Sequence, residues 1–394
     1  MKCRVCSSTN LSLALDLGFQ PWANNFLTKD QIGTEQYYPL RVVHCDDCKT
    51  AQLDHTVPKE TMFSEHSYRS GTTRTLYDHF RGIAHDIHHM MPHGQSVLDI
   101  GSNDGTQLQC FKELGWNTLG VESCASAAKV AEETGIPTIN KFFNEETAQD
   151  IGVQFDIINA SGVFFHLEEL HSVCRGVKHL LDKDGVFIVQ FIYAKTMLEN
   201  GAFDQIYHEH LLYYTMRSIT YLLQLHGLRL FDAKLSPIHG GSMIAHVCHV
   251  GAKWQDTARA HEFWYEEHIS GCNSIEYWYA FKEKINDIKI NVLRKLHEWK
   301  DGGKRVYGLG SPVKGNTFLN TFGITADLIQ FLTERNPLRD GLYAPGSHIP
   351  IVMEDAVNPP GVYVVLAWNF KEEIMERNKH LVERGVEFYF PIGA

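Results

Sequence analysis

The sequence predicts an α/β protein built around a doubly wound sheet, and two observations support this. From about residue 95, short apolar runs alternate with longer helical runs. A glycine-containing turn follows the first apolar run, as at the ligand site of such sheets. The preceding region carries two CxxC pairs, and the following region is rich in aromatic residues. At 394 residues, the chain has room for two or three domains.

The alternation can be followed element by element. Strands are indicated by the apolar runs SVLDIG, NTLGVE, PTIN, FDIINAS and VFIVQFI. Helices are indicated by longer runs that each end in glycine, namely TQLQCFKELG, CASAAKVAEETG and LEELHSVCRGVKHLLDKDG. Because ligands bind at the carboxyl ends of the strands of such a sheet, we expect the site there.

The composition limits the possible partners and setting. The net charge is −11, and phosphate binding needs concentrated Lys and Arg, so we expect no nucleic-acid partner. No apolar run approaches the roughly 20 residues of a membrane span, so we expect no membrane association. MKCRVCSS lacks the apolar core of a signal peptide, which predicts a reducing, cytoplasmic setting. No heptad or large apolar repeat is present, and we expect a monomer.

Four of the nine cysteines form two CxxC pairs, Cys3 with Cys6 and Cys45 with Cys48. Two such turns supply the tetrahedral set of thiolates that Zn²⁺ prefers. Unrelated pairs or a redox CxxC are the alternatives, but no thioredoxin-like βαβ unit surrounds either pair. We therefore predict a closed, structural zinc site. The other cysteines are expected to be buried apolar residues: Cys110, Cys124, Cys174, Cys248 and Cys272.

The turn after the first strand, DIGSNDG, is the candidate cofactor site. Its glycines let the backbone approach a ligand, and Glu122, which ends the second strand, is placed to accept ribose hydroxyls. The turn lacks GxGxxG, and its acidity would repel the pyrophosphate of NAD but tolerate the cationic groups of S-adenosylmethionine. The sequence favours S-adenosylmethionine, with a glycine turn of an unrelated α/β protein as the alternative. The candidate residues are Asp99, Gly101, Ser102, Asn103, Asp104, Gly105 and Glu122.

Further candidates follow the later strands. Phe142 and Phe143 come after the third strand, where an aromatic ring can cover an adenine, although such pairs are as often core residues. Ala160 ends the fourth strand beside the donor site. His166 stands at a helix start, where a histidine is usually unremarkable.

The segment FDQIYHEHLLYY, residues 203–214, contains the candidate catalytic residues. It is not an HExxH motif, because two leucines follow His210. Tyr207, His208, Glu209 and His210 are therefore a catalytic cluster or polar residues at the end of a strand. In a strand, alternate side chains share a face, so all four converge only if the chain bends. We expect His208 to be the structural one.

Together these motifs resemble the S-adenosylmethionine-dependent sugar C-methyltransferases, which act on nucleotide-linked 4-keto-deoxysugars in deoxysugar biosynthesis. The resemblance covers nearly the whole chain, and the order and spacing of its motifs are specific. The motifs are LDLGFQPWANNFL, YPLRVVHCDDC, PKETMFSEHSYRSGTT, VLDIGSNDGT, FDQIYHEHLLYY, PIHGGSM, GLGSPVKGNTFLN, PGSHIPI and LAWNF.

The resemblance implies three domains. They are a zinc-binding domain (1–67), a class I methyltransferase domain (68–252), and a helical linker with a C-terminal Rossmann-like domain that helps to enclose the nucleotide sugar (253–394). It implies a catalytic cluster with His210 as general base, together with Tyr207, Glu209, His166 and Tyr68. It also implies His239, in PIHGGSM, as a substrate residue.

Three positions depart from the family pattern. Family members commonly have asparagines where Ser161 and Gly162 stand, and often glutamate where Gln190 stands. These departures bear on how the sugar is held and not on the methyl donor.

The implied chemistry is C-methylation, expected at C3, through an enolate formed next to the 4-keto group. It needs a base of near-neutral pKa, for which histidine is suited. Tyr207 or Tyr68 would donate to the developing oxyanion, and Glu209 would hold the tautomer of the base or bind sugar hydroxyls. Two alternatives remain: O- or N-methylation of another small molecule, and a non-catalytic binding protein with a degenerate methyltransferase fold.

The C-terminal third predicts long helices over residues 253–300 and then a strand, KRVYGLG, that enters a glycine loop. Asn316 stands where a phosphate loop has lysine, so nucleotide hydrolysis is not expected. Gly310, Lys314 and Asn316 are candidates for contacting a substrate diphosphate at the helix start. The strand GVYVVLAWNF places Trp368 and Asn369 near the same crevice.

Overall fold

The computed structural model describes residues 1–63, 69–72 and 74–393, and the strands in this part of the chain form three sheets. The strands are β1 (Leu11–Pro21), β2 (Tyr37–Cys45), β3 (Ala51–Leu53), β4 (Ser96–Ile100), β5 (Asn117–Val121), β6 (Thr138–Ile139), β7 (Phe155–Ser161), β8 (Leu181–Ile192), β9 (Leu212–Tyr213), β10 (Leu228–Ser236), β11 (Ser242–His249), β12 (Val306–Leu309), β13 (Leu332–Glu334), β14 (Ile351–Met353), β15 (Val362–Val365) and β16 (Glu387–Tyr389).

Helices cover the central and C-terminal sheets and connect them. They are α1 (Lys59–Phe63), α2 (Arg74–Met90), α3 (Thr106–Glu113), α4 (Ala125–Glu133), α5 (Glu145–Ile151), α6 (Leu170–Leu180), α7 (Ala194–Glu199), α8 (Met216–Gln224), α9 (Ala258–Ser270), α10 (Ile275–Asp301), α11 (Val313–Phe322), α12 (Lys371–Arg377) and α13 (Lys379–Glu383). Within the described ranges, none of these helices is long and apolar enough to cross a membrane.

The N-terminal sheet is antiparallel and has the order β1-β2-β3-β9. Its fourth strand, β9, follows the parallel strands of the central sheet in the chain. Ala51 pairs with Tyr213, and the N–H of Leu53 donates to the carbonyl of Leu211 at 2.9 Å. The N-terminal region is therefore joined by backbone hydrogen bonds to the chain that directly follows His210.

The central sheet has the order β10-β11-β8-β7-β4-β5-β6. Strands β6, β5, β4, β7 and β8 are parallel, and β11 and β10 are antiparallel to their neighbours. The strand order reverses direction at β4, which is where a doubly wound sheet binds its ligand. The predicted doubly wound sheet is thus confirmed, and the β10–β11 hairpin extends it.

One predicted boundary is wrong. The sequence predicts a helix that continues to Gly185, but α6 ends at Leu180 and β8 begins at Leu181. Leu181 pairs with Phe155, and the register between β7 and β8 shifts before Ile157. Leu181 pairs with β7, residues 182–185 form an irregularity in the register, and regular pairing resumes at Val186, so the chain leaves the helix at Leu180 to join the sheet.

The C-terminal sheet is parallel and has the order β14-β13-β12-β15-β16, as expected for a Rossmann-like domain. The 27-residue helix α10 buries Trp278, Phe281, Ile285, Val292 and Leu296. These positions follow the helical period. They pack into the same hydrophobic core as the N-terminal and central sheets, so α10 joins the C-terminal domain to the rest of the chain.

Candidate active site

The glycine loop, residues 101–105, joins β4 to α3 at the carboxyl edge of the central sheet. Gly101 and Gly105 have φ angles of 71° and 78°, and a Cβ at Gly105 would lie 3.1 Å from the Cβ of Ala131. Glycine alone combines a left-handed φ with such close packing at low cost. Asn103 has a φ of 52°, which asparagine tolerates better than most residues.

Glu122 follows β5 and is buried. Its carboxylate accepts hydrogen bonds from the backbone N–H of Asn103 at 2.9 Å and of Cys124 at 2.7 Å. A carboxylate has about four lone-pair sites, so these two bonds orient it and leave capacity for two ribose hydroxyls. Glu122 therefore fits the adenosine of S-adenosylmethionine.

The side chains of the glycine loop also hold the chain that crosses above it. Asn103 Oδ1 accepts the N–H of Ser70 at 3.0 Å, and Asp104 Oδ2 accepts the N–H of Gly71 at 2.9 Å. Asp104 Oδ1 accepts from Thr106 Oγ1 at 2.6 Å. Both carboxylate oxygens of Asp104 thus accept hydrogen bonds from the protein, which the sequence did not predict.

Two more candidates are Asp99, which precedes the loop in β4, and Ser102, which lies within the loop. Asp99, in β4, accepts from Asn159 Nδ2 at 2.6 Å, and burial raises the pKa of Asp99 to about 7. A Cβ at Gly120 would lie 2.4 Å from Ser102 Oγ, so Ser102 packs against β5. Both residues shape the floor of the site.

The later candidates differ in burial. Phe143 lies in the main hydrophobic core, which is the alternative that the sequence left open. Phe142 is half-buried, and Lys59 Nζ lies 4.7 Å from its ring centre. Ala160 is buried in β7. Of the two aromatic rings, Phe142 is the better placed to contact an adenine.

The residues around His210 form a turn and not a strand. The N–H of His210 donates to the carbonyl of Tyr207 at 2.8 Å, and the next N–H, of Leu211, donates to the carbonyl of Phe165 at 2.8 Å. The chain therefore bends between residues 207 and 210, and the strand-like alternation does not apply. The rings of Tyr207 and His210 lie 3.8 Å apart, centre to centre.

His210 is buried, and its tautomer follows from one contact. Its Nδ1 lies 2.7 Å from the carbonyl oxygen of Gln205. A carbonyl only accepts, so Nδ1 must carry the proton, and in the neutral ring the lone pair is on Nε2. Glu209 was expected to hold this tautomer or to bind sugar hydroxyls; the partner of Nδ1 is the backbone carbonyl of Gln205.

His166 repeats this arrangement. Its Nδ1 lies 2.5 Å from the carbonyl oxygen of Glu209, so its Nε2 also carries the lone pair when the ring is neutral. The rings of His166 and His210 are 5.0 Å apart. Since His166 follows β7, the two imidazoles lie at the same edge of the sheet as the glycine loop.

Glu209 points to the N-terminal region. Its Oε1 accepts the indole N–H of Trp22 at 2.8 Å. Burial raises the pKa of Glu209 to about 7, against the opposing effects of hydrogen bonds from Trp22 and Asn24 and of the charge on Arg339.

His208 points elsewhere, as expected. Its ring contacts the ring of Tyr38 at 5.7 Å, and neither ring nitrogen has a hydrogen-bond partner among the described residues. Burial lowers the pKa of His208 to about 4, which makes it a weak base. Tyr68 and the side chain of His239 lie outside the described residues.

The C-terminal candidates meet the 203–211 loop, defined as the chain from Phe203 to Leu211. Lys314 Nζ lies 3.9 Å from Asp204 Oδ2 and 3.8 Å from the ring centre of Trp368. The indole N–H of Trp368 donates to Asp204 Oδ2 at 2.7 Å. Burial lowers the pKa of Lys314 to about 8.

Asn316 and Asn369 differ in their contacts. Asn316 is buried, and its Nδ2 donates to the carbonyl of Ala23 at 2.7 Å, which ties α11 to the N-terminal region. Its Oδ1 and the Oδ1 of Asn369 are buried and without hydrogen-bond partners in the described chain. Gly310 has a φ of 80° and follows β12.

Three residues near these candidates were not predicted: Trp22, Asp204 and Arg339. Arg339 lies 4.3 Å from the ring centre of Phe26 and 3.6 Å from a carboxylate oxygen of Glu334. Each of the three is brought to the site by long-range packing, so no local pattern marks its role. Trp22 and Asp204 do stand within quoted motifs, LDLGFQPWANNFL and FDQIYHEHLLYY.

The four cysteines of the CxxC pairs lie together. Their sulfurs are all within 4.8 Å of one another, and the Cys3–Cys48 and Cys6–Cys45 sulfurs are each 3.5 Å apart. Zn–S bonds of about 2.3 Å in a tetrahedron separate sulfurs by about 3.8 Å, so the set fits Zn²⁺.

The two CxxC turns have the same backbone form. The residue after each pair has a left-handed φ, 61° at Ser7 and 66° at Lys49. Its N–H donates to the carbonyl of the first cysteine, at 3.0 Å to Cys3 and 2.9 Å to Cys45. This repeated geometry directs the four sulfurs at one centre.

Replacement of a zinc ligand should release the metal. We expect Cys45→Ser to lower the zinc content from about one ion per chain to less than about half, and to lower the melting temperature, because three protein ligands leave a structural site open. Metal analysis and thermal unfolding measure this. Cys248→Ser, in β11, is the matched control and should keep its zinc. Full zinc occupancy in Cys45→Ser would contradict the assignment.

Replacement of Glu122 should weaken binding of the methyl donor. An amide offers fewer acceptors than a carboxylate, so we expect Glu122→Gln to raise the Kd for S-adenosylmethionine about 10- to 100-fold. Titration calorimetry measures this, with the exposed Glu132→Gln on α4 as the control. An unchanged Kd would remove Glu122 from the site.

Comparison with known proteins gives three family models that match consecutive parts of the chain. They are "Putative zinc binding domain" at residues 3–63, "Methyltransferase domain" at 76–232 and "C-methyltransferase C-terminal domain" at 237–393. Together with the four-cysteine cluster, the first model supports a structural zinc site.

Solved methyltransferase structures resemble only part of the chain. Magnesium protoporphyrin IX methyltransferase (ChlM) from Synechocystis PCC 6803 has a TM-score of 0.35 and 12% identity, over 44% of this chain and 79% of that chain. The PH0226 protein from Pyrococcus horikoshii OT3 has a TM-score of 0.37 and 15% identity, over 46% and 94%. At these scores the likeness supports no further inference.

A relative of known activity matches almost end to end. C-methyltransferase NovU from Streptomyces niveus is 30% identical over 399 residues, which cover 99% of this chain and 95% of NovU. The chain therefore belongs to the C-methyltransferase family, as its motifs predict, and is an S-adenosylmethionine-dependent C-methyltransferase.

Proposed function

We propose that this enzyme methylates C3 of a nucleotide-linked 4-keto-deoxysugar in deoxysugar biosynthesis, with His210 as the base. The observation that carries the proposal is the 2.7 Å contact between His210 Nδ1 and the carbonyl of Gln205. It places the lone pair of the neutral ring on Nε2, which is the form that takes a proton. C-methylation beside a ketone needs a base that removes a proton from carbon, whereas O-methylation needs one that removes a hydroxyl proton, so exchange of the C–H proton separates the two reactions.

The proposed reaction uses the acidity of the carbon next to the ketone. His210 Nε2 takes the proton, and the electron pair of the broken C–H bond forms an enolate whose charge rests on the ketone oxygen. Tyr207, whose ring centre lies 3.8 Å from that of His210 at an angle of 38°, is the proposed hydrogen-bond donor to that oxygen. S-adenosylmethionine, when bound, would supply the electrophilic methyl carbon; the bond from the enolate carbon would form as the methyl–sulfur bond breaks, with S-adenosylhomocysteine as the leaving group.

His166 and Glu209 are proposed to hold the sugar beside His210. The Nδ1–H of His166 is used by the Glu209 carbonyl, so its Nε2 is oriented to accept a sugar hydroxyl. Glu209, fixed by Trp22, is the second proposed acceptor. Tyr68, which the resemblance places in the same cavity, remains a proposed donor.

Two buried cationic side chains favour a substrate with an anionic part. Lys314 Nζ and Arg339 Nε are buried and lack hydrogen-bond partners among the described residues. An unsatisfied buried donor costs free energy that an acceptor from a ligand recovers. A diphosphate offers both acceptors and negative charge. We propose that residues 253–394 bind the nucleotide part there, with contacts from Asn316, Trp368, Asn369 and His239.

The two histidines of the YHEH sequence provide a direct test. The substrates are dTDP-, GDP- and CDP-linked 4-keto-6-deoxysugars deuterated at C3, and NMR follows loss of deuterium to water. We expect His210→Asn to slow washout at least about 100-fold, because the base is lost. His208→Asn is the matched control, and its washout should stay within about threefold of wild type. Undiminished washout in His210→Asn would remove His210 as the base.

A further inference from the structure

We propose that Asp204 is a positioning residue for His210, through which the C-terminal domain orients the base. The inference rests on the proposed role of His210. Asp204 accepts the indole N–H of Trp368 at 2.7 Å and lies 3.9 Å from the Lys314 ammonium. The next residue is Gln205, whose carbonyl receives the Nδ1–H of His210. A contact with the C-terminal domain is thus one residue away from the group that sets the tautomer.

The C-terminal domain also makes apolar contacts with the start of the 203–211 loop. Phe203 is fully buried, and its ring centre lies 6.1 Å from that of Phe318 and 4.9 Å from that of Phe322, both on α11. Phe203, Asp204 and Gln205 form one turn of 3-10 helix. With two of its three residues held by the C-terminal domain, the Gln205 peptide cannot rotate independently.

The N-terminal region holds the other end of the loop through a similar hydrogen bond. Trp22 donates its indole N–H to Glu209 at 2.8 Å, and the carbonyl of Glu209 receives the Nδ1–H of His166. Two indole–carboxylate bonds, from two different domains, therefore secure the two carbonyls that orient the two imidazoles. The Asp204 bond serves His210, and the Glu209 bond serves His166.

The charge on Asp204 adds to this role. Burial raises the pKa of Asp204, whereas Lys314, the Trp368 N–H and nearby backbone N–H groups favour its charged form. Asp204 is the carboxylate that faces the buried Lys314 ammonium. Loss of the negative charge would leave that cation buried without its counter-charge, which is costly. Rearrangement of Lys314 and Trp368 would then release the turn that carries Gln205.

The test compares Asp204→Asn with wild type. Because a misplacement of about 1 Å can cost about 100-fold in rate, we expect kcat and deuterium washout to fall together, about 10- to 100-fold. The Kd for S-adenosylmethionine should stay within about threefold, since Asp204 acts through His210. The KM for the nucleotide sugar should rise, because Lys314 and Trp368, which Asp204 contacts, are proposed to bind the nucleotide part. The pH profile of kcat should also shift, because the proton on Nδ1 is no longer fixed.

Trp368→Phe is the second variant, and it keeps an aromatic ring beside Lys314 while removing the donor. It should lower washout like Asp204→Asn, and the double variant should be no worse than the slower single one, because both break one contact. If Asp204→Asn does not fold, Trp368→Phe alone tests the proposal. Asp232→Asn, a half-buried carboxylate of β10 paired with Arg259, is the control and should keep the wild-type kcat and pH profile.

The outcomes separate the two proposals. An active wild type whose Asp204→Asn and Trp368→Phe variants keep wild-type washout and pH profile would overturn the positioning role alone. A wild type that exchanges no deuterium from any of the three nucleotide sugars would overturn the proposed function and this inference with it. Coupled losses in kcat and washout, with an unchanged Asp232→Asn control, would establish the role.

Discussion

The site depends on one hydrogen bond, from Nδ1 of His210 to the carbonyl of Gln205. A backbone carbonyl cannot give up its acceptor role, so it fixes both the ring orientation and the position of the proton. A carboxylate partner would instead stabilise the protonated ring and raise its pKa. In the proposed mechanism, the backbone partner therefore gives His210 a defined lone pair on Nε2, and the contacts that hold residues 203–211 help to keep that bond in place.

The N-terminal and C-terminal domains act on the chemistry by holding the two ends of this loop. The zinc site organises the turns from which β1, β2 and β3 extend, and β3 pairs with β9 directly after the loop. Trp22 adds a side-chain bond to Glu209. At the other end, α11 and Trp368 hold Phe203 and Asp204. In this proposal, a structural zinc site that takes no part in the reaction helps to hold the loop that carries the base.

The sequence was sufficient for features with local signals. The alternation of apolar strands with glycine-ended helices predicted the central sheet, and the CxxC spacing predicted the cysteine cluster. The bend at residues 207–210 was not predictable, because it depends on the contact of Leu211 with Phe165. The bond between Trp22 and Glu209 joins residues 187 positions apart, and no local pattern marks such a pair. The β10–β11 hairpin was not predicted from the sequence. Its two strands flank PIHGG and follow the last predicted strand, VFIVQFI.

The central claim is the tautomer of His210, and ¹⁵N NMR of histidine-labelled enzyme tests it most directly. The His210 signals can be assigned by their loss in His210→Asn. The structure predicts that the neutral ring carries its proton on Nδ1, so that Nδ1 shows the shift of a protonated nitrogen and Nε2 that of an unprotonated one. A neutral ring protonated on Nε2 would contradict the account, because the nitrogen assigned as the base would then have no lone pair to offer.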